Sequence, residues 1–173
     1  MNKTRAAAAL LLSATLALTG CGTDDDNPVT ADSAANDAGS SAYAPPPVTE
    51  NATDLTKAPK SGAGSGSVTT LQTKDLVVGK GKAARLTDTV TVHYVGTLFA
   101  DGSVFDSSWE AGEPVAFPLN GVVPGFAQGI EGMKIGGRRQ IIIPAELGYG
   151  PANVPGIPPN STLVFIVDLK KIA

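Results

Sequence analysis

From Val68 onward, apolar and polar residues mostly alternate with a period of two, the repeat of a strand with one buried face. In Val90-Thr91-Val92-His93-Tyr94-Val95-Gly96 this places Val90, Val92 and Tyr94 on one face, and Thr91, His93 and Val95 on the other. The turn dipeptide Asp101-Gly102 separates that strand from Ser103-Val104-Phe105-Asp106. Val115-Ala116-Phe117 is a further short strand; Arg138 to Ile143 and Ser161 to Leu169 are two more, rich in β-branched types. Leu71 to Val78 is expected at a sheet edge. One stretch, Gly125 to Met133, has a different period. After Pro124, which suits the first turn of a helix, Phe126, Ile130 and Met133 recur at steps of four and three, and Gly136-Gly137 ends the pattern. Five or six strands with one short helix predict an α+β domain over residues 68–173, a sheet wrapped over that helix.

Upstream of Val68 the strand pattern is lost. Lys3 and Arg5 precede an apolar stretch from Ala6 to Leu18, which is shorter than the about 20 residues that span a bilayer and matches an export signal. It ends in Leu18-Thr19-Gly20-Cys21, which resembles the bacterial lipobox. That resemblance implies a diacylglycerol on Cys21, the only cysteine, and cleavage that leaves it as an acylated N-terminus. Residues 1–21 are therefore expected to be a lipoprotein signal peptide, and the protein to be extracytoplasmic and anchored to the membrane by lipid. Residues 22–67 carry seven acids against two lysines, a Pro45-Pro46-Pro47 run and a Gly/Ser-rich end, and hold only one of the nine aromatics, Tyr43. So little apolar bulk predicts a disordered tether, roughly 40 Å in mean reach.

Composition removes several kinds of chemistry. A single cysteine precludes an internal disulfide, and one histidine with one cysteine precludes a metal site built from those residues. The net charge of −3, with nine residues of each sign after position 67, argues against nucleic-acid binding. No Gly-x-Ser-x-Gly elbow is present, and His93 reads as a packed or half-exposed strand residue. Gly79-Lys80-Gly81 lacks the later residues of a phosphate-binding loop and reads as a turn, and Arg138-Arg139 reads as a solvated edge.

Aromatic residues are abundant instead. Six of them (Tyr94, Phe105, Phe117, Phe126, Tyr149 and Phe165) fall in or beside the predicted elements, with Asp106 directly after Phe105 and Tyr149 in a glycine turn. Core packing accounts for part of this set. A carboxylate and a phenol beside an apolar cluster also fit a pocket with a few placed polar groups.

At these residues a family resemblance becomes specific. Val92-His93-Tyr94-Val95-Gly96, Phe105-Asp106-Ser107-Ser108, Val122-Val123-Pro124-Gly125-Phe126, Gly148-Tyr149-Gly150 and Leu163-Val164-Phe165 resemble the FKBP-type peptidyl-prolyl cis-trans isomerases in order and spacing, from about Leu71 to Ala173. The resemblance implies an antiparallel, strongly curved sheet around one short helix. It implies catalytic roles for Tyr94, Phe105, Asp106, Tyr149 and Phe165, and substrate contacts from Phe117, Val122, Val123, Phe126 and Ile157. Phe126 would form the pocket floor, the Val123 and Ile157 N–H groups would donate to substrate carbonyls, and the Tyr149 hydroxyl would donate another bond. Phe126 replaces a frequent Trp, Val115 a frequent aromatic, and Ala111 a cation found in some relatives. The implied partners are proline-containing unfolded or exported polypeptides and macrolides of the rapamycin class. No cofactor and a monomeric state are expected. A non-catalytic proline-peptide-binding or chaperone-like module would use the same groove, and an aromatic cluster that is simply core would have none.

Overall fold

The computed structural model describes residues 43–173. Cys21, the lipobox and the first part of the expected tether lie outside the described residues. The strands are β1 (Val48–Glu50), β2 (Lys60–Ser61), β3 (Gln72–Val77), β4 (Thr89–Leu98), β5 (Val104–Ser107), β6 (Val115–Pro118), β7 (Arg138–Ile143) and β8 (Leu163–Ile172). Two α-helices accompany them, α1 (Ser108–Ala111) and α2 (Pro124–Ile130). β1 and β2 form a small hairpin sheet, and the other six strands form one antiparallel sheet in the order β3-β7-β8-β4-β5, with β6 also on β4. β3 stands at an edge, as its mixed pattern predicts.

β4 is divided along one side. Its first half pairs with β6 (Thr89↔Pro118 to Val92↔Val115), and its second half pairs with β5 (Val95↔Ser107 to Thr97↔Val104). His93 and Tyr94 fall in the gap, where the single-turn helix α1 supplies what a strand would have. The Ser108 hydroxyl accepts the Tyr94 N–H at 2.8 Å, so a buried backbone donor is satisfied at the point where the sheet splits. Register shifts at Thr91/Val92 and Gly96/Thr97 accompany the split, and such bulges bend and twist a strand.

The curved sheet closes over α2. Phe126, Ala127 and Ile130 are buried there with Val90, Val92, Ile141, Ile143, Leu163, Val167 and Leu169. Two glycines four residues apart allow the close approach. A Cβ at Gly125 would come within 2.3 Å of Ile143 Cγ2, and one at Gly129 within 2.4 Å of Ile141 Cγ2. The helix therefore presents backbone to β7 on one side and Phe126 to the open end of the sheet.

Two expectations need correction. Residues 43–67 are not a free spacer: they form the β1–β2 hairpin and lie on the outer face of the sheet. The Gln140 side chain donates to the Pro46 carbonyl at 2.9 Å, Gly64 N–H donates to Phe99 O at 2.8 Å, and Lys170 Nζ reaches Leu55 O at 3.2 Å. Arg138 is not a solvated edge residue either. Its side chain is 0% exposed, as is that of Asp168, which it grips through Nε and through Nη2 at 2.8 Å. Nη1 and Nη2 also donate to the carbonyls of Asn51 and Lys57 respectively. The segment is held by its backbone carbonyls on a buried cation, a mode of docking that side-chain hydrophobicity does not report. Arg139 is likewise engaged, with Asp75 at 2.7 Å and the carbonyls of Gly129 and Glu131 at 3.0 and 3.1 Å.

Candidate functional site

An open cavity of about 330 Å³ lies between α2 and the split end of the sheet. That volume is within the usual range for small-ligand sites. Nine of the ten residues expected at the site line it: Tyr94, Phe105, Asp106, Phe117, Val122, Val123, Phe126, Tyr149 and Phe165. β4 supplies Tyr94 at its split, β5 supplies Phe105 and Asp106, β6 supplies Phe117, and β8 supplies Phe165. The entry to α2 supplies Val122, Val123 and Phe126, and the loop after Leu147 supplies Tyr149. Gly121 also lines the cavity, and nothing in its sequence setting distinguishes it from an ordinary turn glycine.

The rings meet edge to face. Phe126 and Phe165 are 4.9 Å apart at 69°, Phe117 and Phe126 5.9 Å at 78°, and Phe105 and Phe165 5.6 Å at 84°. Tyr94 joins the set at 5.7 Å from Phe117 and 6.4 Å from Phe126. Such geometry sets the positive edge of one ring against the negative face of another, contributing about 0.5–1.5 kcal/mol per pair beyond burial. Phe126, Phe165 and Tyr94 are nearly buried and form the floor, whereas Tyr149 is 38% exposed at the mouth. Gly96 is required at this wall, since a Cβ there would stand 2.7 Å from the Phe105 ring and 3.0 Å from that of Phe165.

One polar pair is set into the apolar wall. The Tyr94 hydroxyl donates to Asp106 Oδ2 at 2.6 Å. Burial pushes the Tyr94 phenol well above its ordinary range, and the bond to the Asp106 carboxylate adds to the shift. Tyr94 therefore stays protonated and remains a donor. Val123 N–H and the Tyr149 hydroxyl donate to no group among the described residues, so both remain available to a ligand.

Ile157 departs from expectation. Its side chain is buried with the core, it does not line the cavity, and its N–H already donates to Val154 O at 2.9 Å. Gly156, at φ +79°, follows Pro155, so Val154 to Ile157 closes a type II turn that uses this N–H. The Pro155-Gly156 dipeptide carried that signal in the sequence.

His93 stands apart from the cavity. Its ring stacks on Trp109 at 4.2 Å and 18°, and Nδ1 lies 3.0 Å from Ser108 Oγ. Burial disfavours its charged form and Lys170 adds repulsion, so its pKa is lowered. Among the described residues no group of His, Cys, Asp and Glu is arranged to hold a metal ion, and no helix is long and apolar enough to cross a membrane.

Comparison with known proteins agrees with this geometry. Residues 80–170 match the family model described as FKBP-type peptidyl-prolyl cis-trans isomerase. A protein named FKBP-type peptidyl-prolyl cis-trans isomerase FkpA from Escherichia coli (strain K12) is 56% identical over 91 residues, covering 53% of this chain and 33% of that one. A probable FK506-binding protein from Corynebacterium glutamicum is 52% identical over 95 residues, 55% of this chain and 80% of that one. The crystal structure of FkpA from Escherichia coli superposes with a TM-score of 0.57 at 51% identity, covering 60% of this chain and 48% of that one. The chain thus spans about a third of the length of the first curated relatives it matches.

Proposed function

Since the chain belongs to the FKBP-type peptidyl-prolyl cis-trans isomerase family, we propose that it catalyses rotation about X-Pro bonds of extracytoplasmic polypeptides in the cavity between α2 and the split sheet. The observation that carries this reading is the open, ring-lined cavity with one Tyr–Asp pair in its wall. A peptide bond resists rotation by about 18–20 kcal/mol because resonance gives its C–N bond partial double-bond character. The planar form is charge-separated, so water stabilises it. A wall of phenyl rings excludes that water and favours the twisted, less polar imide. Lowering the barrier by about 6 kcal/mol accelerates exchange more than ten-thousand-fold. No bond is made or broken in this route.

The polar groups orient the substrate. Val123 N–H and the Tyr149 hydroxyl are the donors for substrate carbonyls, and Asp106, held by Tyr94, places a negative charge beside the rotating amide. The same groove would take macrolides of the rapamycin class, as the names of FK506-binding relatives suggest. We further propose that Cys21 is lipidated and holds the protein at the outer face of the membrane, where newly exported chains pass. A protease-coupled isomerisation assay on a short Leu-Pro peptide tests the activity. Acceleration of exchange is expected, and binding without acceleration would leave a non-catalytic proline-peptide module.

A further inference from the structure

The Tyr94–Asp106 pair is supported from the opposite face of the sheet. Alternation along β4 puts Tyr94 into the cavity and His93 on the outer face, where His93 stands opposite Asp168 on β8, and Asp168 opposite Arg138 on β7. α1 is one turn long, and Ser108 is its only buried residue. The Ser108 Oγ takes the Tyr94 N–H at 2.8 Å and lies 3.0 Å from His93 Nδ1. Trp109 follows directly and stacks on the His93 ring at 4.2 Å. Asp106 is joined to Ser108 through Ser107 alone. The stack therefore bears on both members of the pair, on Tyr94 through its N–H and on Asp106 through the chain.

Lys170 joins this stack to the N-terminal segment. Its Nζ lies 6.0 Å from the centre of the Trp109 ring, 3.6 Å from Asp168 Oδ2 and 3.2 Å from the Leu55 carbonyl oxygen. A cation over an indole face is attracted by the ring quadrupole. Arg138, on the other side of Asp168, donates to the carbonyls of Asn51 and Lys57. One turn, residues 51–57, thus caps both cations. Asn51 shapes that turn: its backbone sits at φ +52°, and its side chain donates to Ala58 O at 2.9 Å. The turn precedes the family match, which begins at residue 80.

We propose that residues 51–57 act on the cavity from behind: they hold Lys170, which holds the Trp109–His93 stack, which sets Ser108 and through it the Tyr94–Asp106 pair. Lys170 and Trp109 are positioning residues, since neither lines the cavity. The inference rests on the proposed use of the cavity for X-Pro rotation and names what keeps its polar pair in place. Groups that act in the transition state lose rate when they are misplaced, and kcat falls more than ground-state binding does. Changes along a connected network shift a coupling by about two- to thirty-fold. With several contacts in series, the effect here belongs at the lower end, about three-fold.

The test combines kinetics on a short Leu-Pro peptide with amide hydrogen exchange by NMR, both on the full chain. Lys170→Met should lower kcat about three-fold with KM unchanged, and Lys170→Arg, which keeps a donor and a cation, should retain most of the rate. In the same variant the Tyr94 amide should exchange about three-fold faster, while the Val167 amide opposite it on β8 exchanges as before. Asn51→Ala, which loosens the turn with Lys170 in place, should move both readouts in the same direction. In a Tyr94→Phe background, Lys170→Met should leave kcat unchanged, because the hydroxyl it helps to place is already gone. An equal loss in both backgrounds would make Lys170 a general stabiliser and overturn the proposal. So would parent-like exchange of the Tyr94 amide in Lys170→Met, or parent-like values of both readouts in Asn51→Ala. Absence of turnover in the parent chain would overturn the isomerase reading alone, and the exchange comparison then decides the proposal by itself.

Discussion

Tyr94 lies with His93 in the gap on β4 where neither β5 nor β6 pairs, and its hydroxyl is part of the cavity wall. Its N–H is satisfied by Ser108 and its hydroxyl by Asp106, so both ends of the residue are held. Tyr94→Phe is expected to lower kcat/KM about ten-fold and stability by about 1 kcal/mol, the usual net loss of one hydrogen bond. Kinetics with chemical denaturation measure both, and an unchanged kcat/KM would remove the Tyr94–Asp106 pair from the mechanism. Activity should be flat between about pH 6 and pH 9, because Tyr94 is raised above its ordinary range and His93 lies outside the cavity. A midpoint near neutrality would contradict that assignment. Stability behaves differently. The folded state lowers the His93 pKa, so it binds fewer protons there than the unfolded chain does. The His93 contribution is thus complete above the ordinary histidine range and declines as pH falls through about 6.5. Urea unfolding at mildly acidic and neutral pH should show that decline in the parent chain and less of it in His93→Gln.

At the scale of elements, the sheet and α2 were legible because their apolar periods are regular and Pro124 marks the helix start; α2 ends at Ile130, short of the Met133 and Gly136-Gly137 that the pattern pointed to. Arg138 to Ile143 appears over the predicted residues, β4 runs past both predicted ends, and β8 starts at Leu163 rather than Ser161 and runs on to Ile172. What the pattern hid depends on backbone groups. α1 is one turn long, and its role lies in the Ser108 hydroxyl rather than in an apolar stripe. Residues 43–67 bring few large side chains to the core, yet their carbonyls complete the shell of the buried Arg138. Ile157 was placed at the site by resemblance, while its Pro155-Gly156 turn takes the N–H that the role required. The Arg138 arrangement yields a definite expectation. A chain starting at Val68 leaves that guanidinium without two of its acceptors and should lose on the order of 3 kcal/mol relative to residues 43–173. Asp168→Asn, which removes the opposing charge, should cost about 3–5 kcal/mol. Equal denaturation midpoints for the two lengths would mean that the segment only rests on the sheet.

For the whole molecule, the cavity and the proposed anchor are separable in chemistry. The proposed rotation of an imide uses the ring wall, the Tyr94–Asp106 pair and the donors at Val123 and Tyr149, all supplied between β4 and β8. Retention at a membrane needs only acyl chains on Cys21, because each buried methylene contributes about 0.8 kcal/mol and more than one chain gives stable attachment. Cys21→Ala should therefore move the protein from the membrane fraction to the soluble one and abolish incorporation of labelled fatty acid, with kcat/KM on a short X-Pro peptide unchanged. Retention without Cys21 would show that another part of the chain holds the membrane. A fall in kcat/KM would mean that the lipid acts on the cavity as well as on location. If both expectations hold, the lipid sets which polypeptides reach the site, and the cavity alone sets how fast their prolines turn.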